Sequence, residues 1–190
     1  MTTDPTGPLT LAVDDALTTM TAGGWRELAE WVEHDAPPAW RARFDQLQSA
    51  AGAAHDVLAV EGALLGSPTG VIQQPAGDVP GWIRLDMLSA YVGWVAGRAR
   101  TCMHSPNAAR PDPVYAAAWR PGLVVCTRCT HLLELPRGSA EDRRCDGCGR
   151  VTTGPEHGDG IRPSRVQYGP LILAFGVCGD CTPTDRRAAA

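Results

Sequence analysis

Cys126-Thr-Arg-Cys129 and Cys145-Asp-Gly-Cys148 stand 15 residues apart, forming a C-x2-C-x15-C-x2-C run. Two Cys three positions apart on a tight turn can aim both sulfurs at one metal ion, and two such turns supply the four donors of a tetrahedron. The spacing is therefore that of a zinc site, and as a signal it is strong. Gly149 follows the second turn, where a residue free to adopt positive φ lets the chain double back with its amides facing the sulfurs.

A third pair, Cys178-Gly-Asp-Cys181, has the same turn character but cannot fill a site alone. The chain holds 7 Cys, an odd number that argues against a closed disulfide framework. The remaining one lies in Cys102-Met-His104, and counting His104 gives four ligand pairs, enough for two tetrahedral sites. The expected sets are Cys126, Cys129, Cys145 and Cys148 for one site, and Cys102, His104, Cys178 and Cys181 for the other. Both are structural zinc sites, two Zn2+ per chain. His131 and His157 are rival ligands. A crossed arrangement, joining the first pair with the third and the second with the fourth, is the other option. The short 15-residue loop favours the nested one, and pair order does not decide it. Four Cys could also hold an iron–sulfur cluster; the regular double C-x2-C on hairpins favours zinc.

Charge divides the chain. Residues 1–97 hold 4 Arg against 12 acidic residues, and residues 98–190 hold 13 Arg against 9, with every Cys in the second part. All 17 basic residues are Arg. With no Lys there is no P-loop lysine and no Schiff-base or pyridoxal-phosphate lysine. There is no HExxH, no deaminase signature and no G-x-S-x-G, and four protein donors close a zinc shell against catalysis. No enzymatic activity is expected. No stretch approaches the roughly 20 apolar residues of a membrane span. The N-terminus lacks signal-peptide features, so the expected compartment is the cytoplasm, where paired Cys are more often ligands than disulfides. Abundant Ala, Arg and Gly without Lys point to a GC-rich, bacterial coding sequence.

The first part reads as helical. Residues 1–8, with Pro5, Gly7 and Pro8, form a loose tail. Leu9, Val13, Leu17 and Met20 recur at helical spacing until Gly23-Gly24, and Trp25, Leu28, Ala29 and Val32 mark a second helix. Trp40, Phe44, Leu47, Ala51, Ala54, Leu58 and Leu65 make a heptad-like stripe with Glu61 as its polar member, on a helix from Pro38 to Leu65 that packs within a bundle. Residues 66–81 form a Gly/Pro-rich loop. Leu85, Leu88, Val92, Val95 and Ala99 then make a stripe on a helix reaching Arg100. Trp31, Trp82 and Trp94 are core or cap residues; His34 and His55 lie on polar faces.

The second part reads as strands around the Cys turns. Val114–Trp119 and Leu123–Cys126 form a hairpin, His131–Leu135 a strand leaving the first turn, and Ser164–Tyr168 with Leu171–Val177 a second hairpin. The expected fold is α+β: a tail to residue 8, an acidic helical domain over 9–100, a β-rich zinc domain over 101–182, and a frayed end over 183–190.

On these pairs, residues 102–181 resemble a zinc-ribbon or RING-like treble-clef module, a likeness covering under half the chain. The ligand order differs from that of RING modules, whose C-x-H element lies in the middle. The resemblance implies a non-catalytic role in binding proteins or nucleic acid, or in holding a fold. The favoured reading is a protein-interaction or regulatory adaptor whose partner is another protein. The other is a nucleic-acid-binding, transcription-related module, with Arg128, Arg137, Arg143, Arg144 and Arg150 contacting phosphates. The acidic first part opposes that contact.

Overall fold

A computed structural model describes residues 6–64, 78–104 and 106–182, and of residues 58 and 61–64 the backbone only. The expectations for residues 1–5, for Leu65 and most of the following loop, for the seam positions Leu58 and Glu61, and for residues 183–190 lie outside that description.

The fold is mixed helix and sheet. Helix α1 spans Thr6–Thr19, so the expected tail shortens: Pro8 sits in the first helical turn, where its missing N–H costs no hydrogen bond. Helix α2, Ala22–Asp35, starts at an N-cap Thr21 whose side chain accepts from the Gly24 N–H. Gly23 and Gly24 thus belong to its first turn. A Cβ on Gly24 would lie 2.4 Å from Thr19 Oγ1, so a glycine is what lets α2 cross α1 so closely. Helix α3 spans Pro38–Leu64; among its described residues the buried apolar positions are Trp40, Phe44, Leu47, Ala50 and Ala54, with Gln46 buried beside them.

Helix α4, Gly81–Val95, buries Ile83, Met87, Ala90, Tyr91, Val92, Trp94 and Val95. The expected stripe is corrected here: Leu85 is 65% exposed. Apolar residues surround most of this helix, so periodicity alone cannot choose its inner face, and the sheet chooses it. The helix also ends before Arg100. Gly97 takes φ +70, and the Arg43 guanidinium of α3 donates to the Val95 carbonyl at 3.1 Å, closing the C-terminus.

The chain then enters a five-stranded sheet of order β1-β3-β2-β5-β4. The strands are β1 (Arg100–Thr101), β2 (Val114–Ala117), β3 (Leu123–Cys126), β4 (Arg162–Tyr168) and β5 (Leu171–Val177). β2 with β3 and β4 with β5 are the two expected antiparallel hairpins, while β2 joins β5 in parallel. The second hairpin therefore repeats the first, shifted along the sheet and reversed in direction. Residues 131–135 do not form the expected strand; Thr127–Leu133 continue the Cys turn as a 3-10 helix. Trp119 Nε1 donates to the Leu133 carbonyl at 2.7 Å and holds that helix against the first hairpin.

Alternation along the strands sorts the core. Val114, Ala116, Val124, Leu171, Leu173 and Phe175 pack with the helices in one cluster that also takes in Cys145 and Cys178. Tyr115, Ala117, Val125 and Ile172 point the other way and pack with Cys102, Cys126, Cys129, Leu133 and Ala54. At the helix–sheet contact, the Tyr91 hydroxyl donates to the Tyr168 carbonyl, and Trp25 stacks on Phe44 with ring centroids 5.1 Å apart.

Candidate metal centres

The ends of β3 and β5 carry the two strand-borne Cys pairs. Cys126 closes β3 and Cys129 follows on the 3-10 helix. Cys178 follows β5 and Cys181 lies on a one-turn 3-10 helix, Gly179–Cys181. Because β3 and β5 run in opposite directions, these pairs lie at opposite ends of the sheet. Val114 of β2 is level with Cys126 and with Leu171, at the start of β5. The far end of β5 is six strand steps away, roughly 20 Å at about 3.3 Å per residue.

This separation overturns the expected grouping. Four donors within 4.8 Å of one another are Cys102, His104, Cys126 and Cys129 at one end, and Cys145, Cys148, Cys178 and Cys181 at the other. All eight expected residues fall in these two sets. However, Cys126 and Cys129 do not meet Cys145 and Cys148, nor do Cys102 and His104 meet Cys178 and Cys181. Neither nested nor crossed pairing holds: each pair joins its nearest neighbour in the sequence, first with second and third with fourth. His131 and His157 are exposed and belong to neither set.

Each set is assembled in the same way. β1 pairs with β3 in parallel, which brings Cys102 beside Cys126, and the Cys126 N–H donates to Cys102 Sγ at 3.4 Å. At the other end an antiparallel bridge between Arg144 and Val151 closes the arm of a turn. The Gly149 N–H donates to the Cys145 carbonyl at 2.8 Å within it, and Gly149 has φ +74. The Cys178 N–H then donates to Cys145 Sγ, again at 3.4 Å. Cys102 and Cys145 are thus equivalent, as are His104 and Cys148, Cys126 and Cys178, and Cys129 and Cys181.

The spacings suit a tetrahedral ion. Zn–S bonds of about 2.3 Å place sulfurs about 3.8 Å apart; Cys148 Sγ and Cys178 Sγ are 3.9 Å apart. His104 Nδ1 lies 3.1 Å from Cys129 Sγ and 3.7 Å from Cys126 Sγ. The thiols themselves call for a cation. Burial pushes the Cys102 thiol up, but hydrogen bonds from Cys126 and His104 outweigh it and bring it down to about 7. Cys145 is brought down to about 7 in the same way by Cys178 and Cys148. Burial, with the Cys102 side chain beside it, pushes Cys126 up to about 12. Hydrogen bonds from Cys148 and Cys178, with burial, do the same to Cys181. In each set one thiol is drawn toward its thiolate, Cys102 or Cys145, while another, Cys126 or Cys181, is pushed the other way; a divalent ion at the centre removes that conflict.

Several supporting residues carry no motif and escape sequence reading. The Asp146 carboxylate accepts from the Gly176 N–H at 2.7 Å, and its own N–H donates to the Gly176 carbonyl at 2.9 Å, fastening the Cys145 turn to β5. A Cβ on Gly147 would lie 3.4 Å from Cys181 Sγ and from Trp82 Nε1, so the start of α4 closes over this centre. At the other centre the Thr127 hydroxyl donates to Asp112 Oδ1 at 2.7 Å, and Gln46 Nε2 donates to the Asp112 carbonyl at 2.6 Å, tying the Cys126 turn to α3.

Of the arginines expected to meet nucleic acid, Arg128, Arg137 and Arg144 are exposed and Arg143 is half-buried. Arg150 is engaged by Asp159 at 3.0 Å and Asp180 at 3.5 Å. Among the described residues, no helix is long and apolar enough to cross a membrane. Comparison with known proteins finds no matching family model, no similar curated protein and no similar solved structure.

Proposed function

We propose that the chain is a non-enzymatic protein with two structural zinc ions, built on ribbon-type Cys turns and serving as a protein-interaction adaptor. The observation that carries the adaptor reading is Met103. It stands between the donors Cys102 and His104 and is 90% exposed. An ion bound there would hold an apolar side chain at the surface, and Met is among the residue types enriched in protein interfaces. Leu132 and Val151, 41% and 44% exposed, extend the same pattern to the 3-10 helix after Cys129 and to the arm beside Cys148.

Zinc is favoured over an iron–sulfur cluster by the Cys3His set and by the tetrahedral spacing. Four protein donors at each centre leave no position for a substrate, which supports a structural role. Nucleic-acid binding is the second reading. It rests on Arg128, Arg137, Arg143 and Arg144, and is weakened by the engagement of Arg150 with two carboxylates.

Two measurements separate these readings. Quantitative affinity capture should recover proteins bound by the native chain and lost with Met103→Glu at unchanged metal content. Titration with mixed DNA and RNA at two salt concentrations should show no salt-sensitive binding. Salt-sensitive binding abolished by Arg143→Ala with Arg144→Ala would replace the adaptor reading with the second.

A further inference from the structure

The two centres are equivalent in construction but not in exposure. At the first, Cys102, Cys126 and Cys129 are all buried, and the exposed donor is His104, which carries no thiol. At the second, the equivalent position is held by Cys148, the exposed cysteine of a set in which Cys181 is half-buried and Cys145 and Cys178 are buried. The Cys148 sulfur lies 3.9 Å from Cys178 Sγ. Gly147 and Gly149 flank Cys148, and Gly149 already occupies positive φ, so this turn can bring the sulfur closer at small cost.

We propose that Cys148 is a site of oxidative modification by hydroperoxides, with Cys178 as its resolving partner, and that the second centre is thereby a releasable metal site while the first is permanent. The proposal rests on the metal reading above. In the first step the Cys148 thiolate attacks a peroxide oxygen. The O–O bond breaks, the alkoxide or hydroxide leaves and takes a proton, and Cys148 becomes a sulfenic acid. In the second step the Cys178 thiolate attacks that sulfur, the S–S bond forms, and hydroxide leaves and is protonated to water. The two thiolates lose two electrons and the peroxide gains them.

The second centre then keeps two of its four donors, too few to retain an ion. Its contact with the start of α4, through Gly147, Cys181 and Trp82, loosens with it. The first centre gives no such reaction, because its accessible donor is an imidazole and its thiols are shielded.

The test uses the full chain and hydrogen peroxide. Metal content is measured first, then metal release with a colorimetric indicator, then thiol oxidation by alkylation and peptide mapping. The expected result is release of about half the bound metal, a Cys148–Cys178 cross-linked peptide, and Cys102, Cys126 and Cys129 still alkylatable after unfolding. Cys148→His reproduces the donor set of the first centre; it should keep its metal and slow release at least ~10-fold. Oxidation of the first centre's cysteines as fast as Cys148, or loss of all metal together, overturns the proposal. If the protein binds no metal from the start, the metal reading fails on that measurement. The map of oxidised cysteines then still decides for or against Cys148.

Discussion

The backbone N–H of Cys178 donates to the sulfur of Cys145 at 3.4 Å. The same bond joins Cys126 to Cys102 at the other end of the sheet. In both places a strand end delivers its first Cys to a sulfur supplied by the preceding Cys-bearing turn. Helix α4 lies between them: Trp82 on its first turn closes over one centre, and the chain leaving its C-terminus becomes β1 and supplies Cys102. Its 15 residues span about 22 Å at 1.5 Å per residue, close to the roughly 20 Å between the Cys-bearing ends of β3 and β5.

Removal of metal by a strong chelator should therefore be felt in α4 and not only in the Cys turns. Hydrogen exchange followed by mass spectrometry should show amide protection falling over Gly81–Val95 together with both turns, because binding free energy in such centres is folding free energy. Loss of protection confined to the turns would show that the helix does not depend on the ions.

Gly169 joins β4 to β5 with φ +54, and a Cβ there would lie 2.8 Å from the Trp25 ring and 3.0 Å from the Tyr91 hydroxyl. Gly169→Ala combines backbone strain with overpacking and should cost roughly 2–4 kcal/mol in urea unfolding, with metal content unchanged. A cost below about 1 kcal/mol would mean that the aromatic cluster relaxes freely around it.

The Tyr168 hydroxyl donates to the Thr21 carbonyl at 3.2 Å, and burial pushes its ionisation up to about 12. Burial also pushes Tyr91 well above the usual tyrosine range. In the unfolded chain tyrosines lose their protons near about 10. The stability these groups supply is therefore complete below pH ~10 and is lost as pH rises toward ~12. Melting temperature should fall steeply across that window. Tyr168→Phe should flatten the fall while costing about 0.5–1.5 kcal/mol at neutral pH through the lost hydrogen bond. An unchanged alkaline slope in the variant would exclude Tyr168 as a contributor.

The Cys pairs were legible because turn geometry demands Cys at fixed local spacing, His104 because it completes an odd Cys count, and the hairpins from the paired apolar runs of Val114–Trp119 with Leu123–Cys126 and Ser164–Tyr168 with Leu171–Val177. The grouping of donors was not. It depends on β2 and β5 lying parallel, which sends Cys126 and Cys178 to opposite ends, and no local pattern records the direction in which two distant hairpins meet. The inner face of α4 was hidden for a related reason. Leu85 and Met87 are equally apolar, and only the position of the sheet leaves the first in water and the second buried. Asp146 belongs to no motif, and only the fold shows that its place in the Cys turn lets it grip Gly176.

The grouping of the four pairs is tested most directly by counting zinc in two double variants. The account predicts about two ions per native chain, about one in Cys102→Ser with Cys126→Ser, whose changes fall in one centre, and close to none in Cys126→Ser with Cys145→Ser, whose changes fall in both. The reverse order, with metal lost from the first variant and half retained by the second, would contradict it.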